Sequence, residues 1–417
     1  MSLKFNHQFM RILHTSDWHL GKHLNNFPRH PEQQEVLEEI CEIADVENVN
    51  AIVIAGDLFD TFNPPTESTE LFYKTLKRLT NNGNRVVLAI AGNHDSPDRI
   101  EAPDPLAREC GILFAGFPNS RIQPFELESG LKVIYSEEGF ISLKLPGIDV
   151  PLRILLTPYA NEFRIKTFLG EENPEKELRM VLQKRWEELA DKFCDNSGVN
   201  ILLSHLLIIH KGDELPVEPE DEKPILHVGG AQAIYTENIP QQIQYAALGH
   251  LHRKQTIASH PAPVIYSGSP ISYSFSEANQ KKYVIIADIE PGETAEIREI
   301  ELKKGKRLLR KRSENMEEAV EWLKGNQNSL VELTMATNSY LTAEDRKKLY
   351  AVHEGIVSFI PDVQNKDEWI RSTRTDIDLN KNMEDLFKDY FKHAKGQEPG
   401  KTMMDLFKEV LSEEEAQ

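Results

Sequence analysis

The apolar run Ala51-Ile52-Val53-Ile54-Ala55 leads directly into Gly56-Asp57, and this junction of a run with a carboxylate decides the fold. Short, β-branched runs of this kind are typical of strands that are buried on both faces. Four more runs each precede a fragment rich in His, Asp or Asn: 11–15 before 17–19, 86–91 before 92–95, 200–203 before 204–205, and 245–248 before 249–252. Ligands collect at the carboxyl ends of strands in open α/β sheets, so we expect one site at one rim of a sheet.

Helical segments alternate with the first of these runs. Apolar residues recur at helical spacing in residues 31–46, 67–79 and 176–193. The alternation of strand and helix predicts an α/β fold with a mainly parallel sheet and covering helices. On the second helix, Leu71, Phe72 and Leu76 are either core residues or part of a dimer interface.

The pattern changes in the last third of the chain. Residues 264–266 and 283–287 are short strand-like pieces, which indicate further sheet. A new unit begins near residue 303, with a helix over 317–323, a strand over 329–335, a helix over 343–350 and a strand over 356–360. These elements predict a small α/β domain of its own.

The last fifty residues hold two segments with the same apolar spacing. Both have apolar side chains at i, i+3, i+4, i+7 and i+8: Met383, Leu386, Phe387, Tyr390 and Phe391, then Met403, Leu406, Phe407, Val410 and Leu411. The spacing predicts a pair of amphipathic helices. They either pack on their own protein or dock into a groove of another chain.

Composition sets limits on the class of protein. The chain has 417 residues, enough for two or three domains, and no apolar stretch long enough to cross a bilayer. It begins without the apolar core of a secretory signal, so we expect a cytoplasmic protein with no membrane segment. Its three cysteines are far apart and are expected to be reduced thiols. The net charge of −19 would repel nucleic acid, so any contact with DNA must be local or assisted.

The polar fragments supply seven potential metal ligands: Asp17, His19, Asp57, Asn93, His205, His250 and His252. Oxygen and imidazole ligands without thiolate suit Mn²⁺, Mg²⁺, Fe²⁺ or Zn²⁺. Seven ligands are too many for one ion with an open position, but they suit two ions that share one carboxylate. Asp57 is the expected bridge, because it follows the middle one of the first three site strands.

The order and spacing of the five fragments resemble the calcineurin-like metallophosphoesterase superfamily. Within it, the chain is similar to the SbcD family of bacterial nuclease subunits. The resemblance covers about residues 10–290 and rests on five stretches: 12–21, 55–61, 91–96, 249–252 and 266–270. It implies a metallophosphoesterase-type β-sandwich with flanking helices over residues 10–300, an α/β cap domain over 301–364, and a helical segment for partner docking over 365–417.

The resemblance also implies a division of the ligands. Asp17, His19 and His252 would bind one ion, Asn93, His205 and His250 the other, and Asp57 both. His94 would not be a ligand but a catalytic residue beside the scissile bond, where it orients the phosphate or protonates the departing 3′ oxygen. Asp95 either orients His94 or caps a turn.

The function implied by the resemblance is a two-metal DNA nuclease, acting as a double-strand exonuclease and a single-strand or hairpin endonuclease. We expect two divalent ions, with Mn²⁺ ahead of Mg²⁺. The implied partners are DNA, an SbcC-type coiled-coil ATPase that binds the C-terminal helices, and a second copy of the chain in a homodimer. The setting would be DNA repair, recombination and replication.

Two other functions stay open at this stage. One is a phosphoesterase of the same superfamily that acts on small phosphomonoesters or cyclic nucleotides. The other is an inactive scaffold, which the complete ligand set argues against. Residues 303–312 include seven basic residues, which either contact DNA phosphates or form a solvated linker or strand edge. Residues 213–222 are an acidic, proline-containing loop that we place away from DNA.

Overall fold

The computed structural model of the chain describes residues 9–166, 174–213, 234–337, 342–363, 383–395, 399–400, 403–404 and 406–407. The chain divides into two compact units. The first consists of Met1–Lys311, Asn326–Glu332 and Gly355–Ser358, and the second of Arg312–Gly325, Leu333–Glu354 and Phe359–Gln417. The three-part division at residues 300 and 364 stays a prediction. Residues 1–8 and all of the acidic loop except Asp213 lie outside the described residues.

Twenty strands are described. They are β1 (Met10–Thr15), β2 (His23–Leu24), β3 (Phe27–Pro28), β4 (Ala51–Ala55), β5 (Val86–Ile90), β6 (Ile112–Ala115), β7 (Lys132–Glu137), β8 (Phe140–Lys144), β9 (Leu152–Thr157), β10 (Val199–Ser204), β11 (Ile208–Ile209), β12 (Ile234–Tyr235), β13 (Tyr245–Leu248), β14 (Gln255–Ala258), β15 (Val264–Tyr266), β16 (Lys282–Ile289), β17 (Glu296–Leu302), β18 (Arg307–Ser313), β19 (Ser329–Thr337) and β20 (Ile356–Val363).

Nine α-helices are described. They are α1 (His30–Val46), α2 (Thr66–Leu79), α3 (Pro97–Glu101), α4 (Asp104–Ala107), α5 (Glu162–Ile165), α6 (Pro174–Phe193), α7 (Met316–Lys324), α8 (Ala343–Val352) and α9 (Met383–Lys395). The helices and strands expected from the sequence up to residue 395 are present, with ends that differ by a few residues; most of the helix expected from Met403 to Leu411 lies outside the described residues. Among the described residues, no helix is both long and apolar enough to cross a membrane.

Two large sheets form the first unit. One has the order β17-β16-β1-β4-β5-β6, and the other β14-β15-β13-β10-β9-β8-β7. In the first sheet β1, β4, β5 and β6 run parallel, and in the second β9, β10, β13 and β15 do so. Strand β4 lies between β1 and β5, as its position in the chain predicts.

The two sheets pack face to face around one apolar core. It joins side chains of the first sheet, such as Val53 and Leu88, to Ile154 and Ile201 of the second. Helices α1 and α2 cover the outer face of the first sheet, and α6 covers that of the second. This α/β sandwich confirms the predicted fold class.

The prediction of a single site sheet was wrong. The runs before Asp17, Asp57 and Asn93 belong to the first sheet, whereas those before His205 and His250 belong to the second. A strand buried between a helix and a second sheet has the same continuous apolar sequence as one buried between two helices. The runs therefore could not show which strands share a sheet.

Burial decides whether the apolar residues of α2 belong to the core, and strand pairing decides whether the basic segment 303–312 is a linker. Phe72 and Leu76 are fully buried and Leu71 packs against the same cluster, so these side chains belong to the core. The basic segment does not form a linker: most of it is β18, the edge strand of a three-stranded sheet with the order β18-β19-β20.

Helices α7 and α8 begin at side-chain caps. Asn315 accepts a hydrogen bond from the backbone N–H of Glu318, and Thr342 accepts one from that of Asp345. In the C-terminal pair, the rings of Phe387 and Phe407 stack with centroids 3.9 Å apart. Val410 and Leu411 lie outside the described residues, so the docking role of this pair stays a prediction.

His14 connects the two sheets through both ring nitrogens. Its Nδ1 lies 2.7 Å from the hydroxyl of Tyr245, and its Nε2 lies 3.1 Å from the carbonyl oxygen of Leu248. The imidazole is completely buried, and burial lowers its pKa from 6.5 to about 3. His14 is thus a neutral structural residue, and substrate cannot reach it.

We predict that the contribution of neutral His14 to stability is lost in acid. Its folded pKa lies below its unfolded value, so the contribution is full above pH 6.5 and declines as pH falls towards about 3. Relative to a His14→Gln variant, the free energy of unfolding should fall by about 1 kcal/mol per pH unit in this window. Denaturant titrations of both proteins at pH 7, 6 and 5 measure the difference. Parallel pH profiles would contradict the prediction.

Candidate metal centre

The loops that follow β1, β4, β5, β10 and β13 meet at the end of the sandwich. They bring all seven predicted ligands into one pocket, in which Asp17, His19, Asp57 and His205 are almost completely buried. Groups of three ligands have donor atoms within 4.8 Å of one another: Asp17, His19 and His252; Asp17, Asp57 and His205; and His19 and Asp57 with His94.

The backbone turns sharply where it leaves the strands. Asp17, His19, Asp57 and His250 have positive φ values of 54°, 42°, 48° and 104°. Residues other than glycine rarely adopt this conformation, and strain of this kind concentrates at functional sites. The N–H groups of Asp17 and His19 donate to the carbonyl oxygens of Gly56 and Asp57, each at 2.9 Å, so the first two loops hold each other in place.

Glycines make room for the ligands. A Cβ atom on Gly56 would lie 2.2 Å from Nδ1 of His205, and one on Gly92 would lie 2.1 Å from Oδ1 of Asp57. A Cβ atom on Gly249 would lie 1.8 Å from the carbonyl oxygen of Ala55. Any larger residue at these positions would push the loops apart.

The ligands form two donor clusters. In cluster A, which consists of Asp17, His19 and His252, the Nε2 atoms of the two histidines are 2.9 Å apart. In cluster B, which consists of Asn93, His205 and His250, Oδ1 of Asn93 lies 3.0 Å from Nε2 of His205 and 3.2 Å from Nδ1 of His250. The donor atoms of Asp17 also lie within 4.8 Å of those of Asp57 and His205, so the division of the ligands between two ions stays a prediction.

Asp57 lies between the clusters. Its Oδ2 is 3.5 Å from Nε2 of His19 in cluster A and 3.4 Å from Nε2 of His205 in cluster B. Its Oδ1 accepts a hydrogen bond of 2.9 Å from the backbone N–H of His94. One carboxylate therefore faces both donor sets.

The charges in the pocket favour a bound cation. Burial acts to lower the pKa of His205, but the attraction of Asp57 and Asp17 prevails and raises it to about 9. Burial lowers the pKa of His19 to about 3. The carboxylates of Asp57 and Asp17, which raise this pKa, would attract a divalent cation in the same way. The donor set and its charge fit divalent metals.

His94 borders the pocket but belongs to neither cluster. Its Nδ1 lies 2.9 Å from the carbonyl oxygen of Asp60, and its Nε2 lies 3.9 Å from Oδ2 of Asp57. The ring stands edge-on to His19 with centroids 4.6 Å apart. Because the imidazole is partly exposed, a substrate can reach it.

Asp95 holds the loop and does not orient His94. Its carboxylate accepts hydrogen bonds from the backbone N–H groups of Leu58, Phe59 and Gly92, at 3.0, 2.9 and 2.8 Å. The guanidinium of Arg164 fixes the same loop from outside, by donating to the carbonyl oxygens of Gly92 and Asp95. Of the two roles considered for Asp95, the structure supports the turn cap.

Carboxylates behind the ligands were not predicted from the sequence. Oδ1 of Asp60 lies 3.5 Å from Nδ1 of His19 and accepts a hydrogen bond from Lys22. Oε1 of Glu277 lies 3.7 Å from Nδ1 of His252. Asp60 could have been suspected, because it lies within one of the stretches that carry the resemblance. Glu277 has no such signal.

Comparison with known proteins identifies the family. The family model described as calcineurin-like phosphoesterase matches residues 10–254. The SbcD component of the nuclease SbcCD from Bacillus subtilis (strain 168) is 36% identical over 414 residues, which is 97% of this chain and 98% of that protein. This chain belongs to the SbcD family of calcineurin-like phosphoesterases. The predicted family and the predicted class of enzyme, a metal-dependent phosphoesterase, are thereby confirmed.

Other relatives of this SbcD-family protein carry the same name. The Rhodobacter capsulatus protein is 29% identical over 286 residues, which is 68% of this chain and 67% of that protein. The Escherichia coli (strain K12) protein is 29% identical over 299 residues, covering 68% of this chain and 66% of that protein. Similarity to the Bacillus protein thus extends over nearly the whole chain, and similarity to these two over about two thirds.

We predict that a methyl group at Gly249 disrupts the metal centre. In Gly249→Ala the new carbon would collide with the backbone of β4, which cannot move away as the end of a flexible side chain can. The unfolding free energy should fall by about 1–3 kcal/mol, and divalent-metal binding should be lost. Thermal denaturation and Mn²⁺ titration measure both effects.

Gly325→Ala is the matched control. Gly325 has ordinary helical φ and ψ values, and an added Cβ would approach no atom closer than 3.5 Å. This variant should keep the stability and metal affinity of the parent. If Gly249→Ala did the same, the steric account of the loops would be wrong.

Proposed function

We propose that this SbcD-family protein is the nuclease component of an SbcCD-type complex and hydrolyses DNA phosphodiester bonds at a centre of two divalent ions. The observation that carries the proposal is the position of Asp57, which faces two separate donor clusters. We expect Mn²⁺ to be the preferred ion and Mg²⁺ to be the alternative. Double-strand exonuclease and single-strand or hairpin endonuclease activity are both part of the proposal.

The residues of the proposed centre have different roles in metal binding. Cluster A and cluster B would each hold one ion, with Asp57 shared. When bound, the ions would supply a water of lowered pKa and neutralise charge on the phosphoryl oxygens. The protein contributes the fixed orientation of the ligands, which the hydrogen bonds between the loops maintain.

His94 is the proposed catalytic residue beside the scissile phosphate. With its Nδ1 held by the carbonyl oxygen of Asp60, its Nε2 is the atom that can contact substrate. In the imidazolium form, Nε2 would donate a hydrogen bond to a phosphate oxygen or its proton to the departing 3′ oxygen, which leaves a neutral ring with its proton on Nδ1. The partial exposure of the ring is consistent with either role.

DNA must be bound locally, because the chain as a whole is acidic. A cavity of about 410 Å³ is lined by basic residues of the first unit, among them Lys303, Lys304, Lys306 and Arg307. Another lining residue, Lys282, donates a hydrogen bond of 3.0 Å to the carbonyl oxygen of His252, so the cavity wall adjoins the metal centre. The carboxylate of Glu39 binds the backbone N–H groups of Lys303 and Lys304, which leaves the exposed side chains available for phosphates.

The C-terminal helices are the proposed binding element for a coiled-coil ATPase of the SbcC type. Met383 and Tyr390 on α9 and Leu406 on the following segment are more than half exposed, so an apolar surface is open to a partner. A homodimer is proposed on the family resemblance. A cytoplasmic location follows from the proposed substrate.

We predict that two substitutions separate the roles of the site. Asp57→Asn removes the charge shared by both clusters and should lower nuclease activity at least a thousandfold, together with loss of Mn²⁺ binding. His94→Asn should lower activity by roughly 10²–10⁴-fold but leave Mn²⁺ binding unchanged. Nicking of circular single-stranded DNA and calorimetric Mn²⁺ titration measure the two effects.

The control is His260→Asn, which changes an exposed histidine between β14 and β15. It should retain full activity. Full activity in Asp57→Asn would refute the proposed centre. If the parent hydrolysed cyclic nucleotides or nitrophenyl phosphate but not DNA, the function would be that of a small-substrate phosphoesterase.

We predict that charge reversal in the basic cavity weakens DNA binding but not the chemistry. Lys304→Glu with Lys306→Glu should raise the KM for DNA, and log K should depend less steeply on log salt by roughly 0.9 per lost contact. Hydrolysis of a nitrophenyl phosphodiester should not change. The control, Lys74→Glu with Lys184→Glu, has the same net charge and alters exposed helix residues. Equal weakening by both pairs would contradict a local DNA contact.

A further inference from the structure

Glu277 lies directly behind a metal ligand. It is the last residue of a short 3₁₀ helix, Phe275–Glu277, and its side chain is almost completely buried. One carboxylate oxygen, Oε1, lies 3.7 Å from Nδ1 of His252 and accepts a hydrogen bond of 3.0 Å from the backbone N–H of Tyr273. Removing a charge from water is costly, so a carboxylate this deeply buried must be stabilised by neighbouring groups.

Lys282 supplies the opposite charge. Its ammonium group contacts Oε2 of Glu277 and donates to the hydroxyl of Ser269 at 2.9 Å and to the carbonyl oxygen of His252 at 3.0 Å. All three acceptors surround the loop that carries His252. The buried ion pair therefore holds both the side chain and the backbone of this ligand.

We propose that Glu277 is a positioning residue that fixes the orientation and tautomer of His252. With a carboxylate beside Nδ1, the ring proton belongs on Nδ1, and the lone pair of Nε2 faces cluster A, where it can bind a cation. With that tautomer, Nε2 of His252 can only be the acceptor in its 2.9 Å contact with Nε2 of His19 when no cation is bound. A carboxylate behind a histidine ligand also makes the ligand more basic and strengthens metal binding.

The surroundings of Nδ1 in His205 and His19 can be compared with the position of Glu277 beside Nδ1 of His252. His205 has its Nδ1 2.7 Å from the carbonyl oxygen of Ala55, and His19 has its Nδ1 3.5 Å from Oδ1 of Asp60. Each of the three histidines that present Nε2 to the clusters has an oxygen near Nδ1, at hydrogen-bond distance for His205 and at the longer distances of 3.5 and 3.7 Å for His19 and His252. His252 depends on Glu277 for this contact, and a simple stability role would not require the acceptor to face a ligand.

The test compares two buried glutamates that pair with buried cations. Glu277→Gln removes the charge behind His252, whereas Glu32→Gln removes a charge that pairs with Arg29 at 2.9 Å and with the backbone N–H of Lys306 at 2.8 Å rather than with a ligand. Isothermal titration with Mn²⁺ should show 10–100-fold weaker binding at one of two sites in Glu277→Gln and unchanged binding at the other. Glu32→Gln should bind both ions as the parent does, even if its melting temperature falls.

The inference rests on the proposed metal centre, and the two can fail separately. If the parent bound no Mn²⁺, the proposed centre would fail. If the parent bound two ions and Glu277→Gln bound both equally well, or if Glu32→Gln lost affinity to the same extent, only the role of Glu277 would be overturned.

A second measurement reads the tautomer in the parent protein and needs a variant only to assign the signal. In metal-free protein with ¹⁵N-labelled histidine, long-range proton–nitrogen spectra distinguish the two neutral tautomers, and His252→Gln identifies the relevant signal. We expect His252 to carry its proton on Nδ1. A proton on Nε2 would overturn the proposal.

Discussion

The structure depends on one carboxylate that must face two sets of ligands from two different sheets. Asp57 follows β4, the strand between β1 and β5, and its Oδ2 lies within 3.5 Å of a histidine in each donor cluster. This is possible only if the ends of β10 and β13 are held against the end of β4. The apolar core between the sheets fixes that distance, and the glycines at 56, 92 and 249 allow the loops to approach.

The site was more predictable from the sequence than the fold around it. Buried parallel strands are continuous apolar runs, and the polar fragments that follow them supplied the candidate ligands that the structure brings into one pocket. The partition of these strands between two sheets was not predictable, because burial by a helix and burial by a sheet leave the same pattern. Strands β6 and β9 are also largely apolar and buried, but no metal-type fragment follows them, so they were not singled out; β7 is only partly buried and lies at the edge of its sheet.

The residues that orient the ligands were the hardest to find. Glu277 lies 25 positions after His252 in the chain, in a stretch rich in serine and without helical or strand periodicity. Its partner Lys282 begins β16, where the sequence otherwise predicts an apolar strand. A charge pair of this kind becomes visible only when the coordinates show both groups buried and in contact. A sequence pattern identifies the apolar residues that a strand or helix buries. The residues that contact a metal ligand from behind depend on the packing of loops that are distant in sequence.

The division of the ligands between sheets has a consequence beyond chemistry. Asp17, His19, Asp57 and Asn93 come from one half of the sandwich, and His205, His250 and His252 from the other. Ions held by both halves would act as noncovalent crosslinks, and because they would bind the native state, occupancy would add to its stability by mass action. The lifetime of the polypeptide against proteases would then depend on the supply of divalent ions, and a shortage of them would deplete the enzyme as well as silence it.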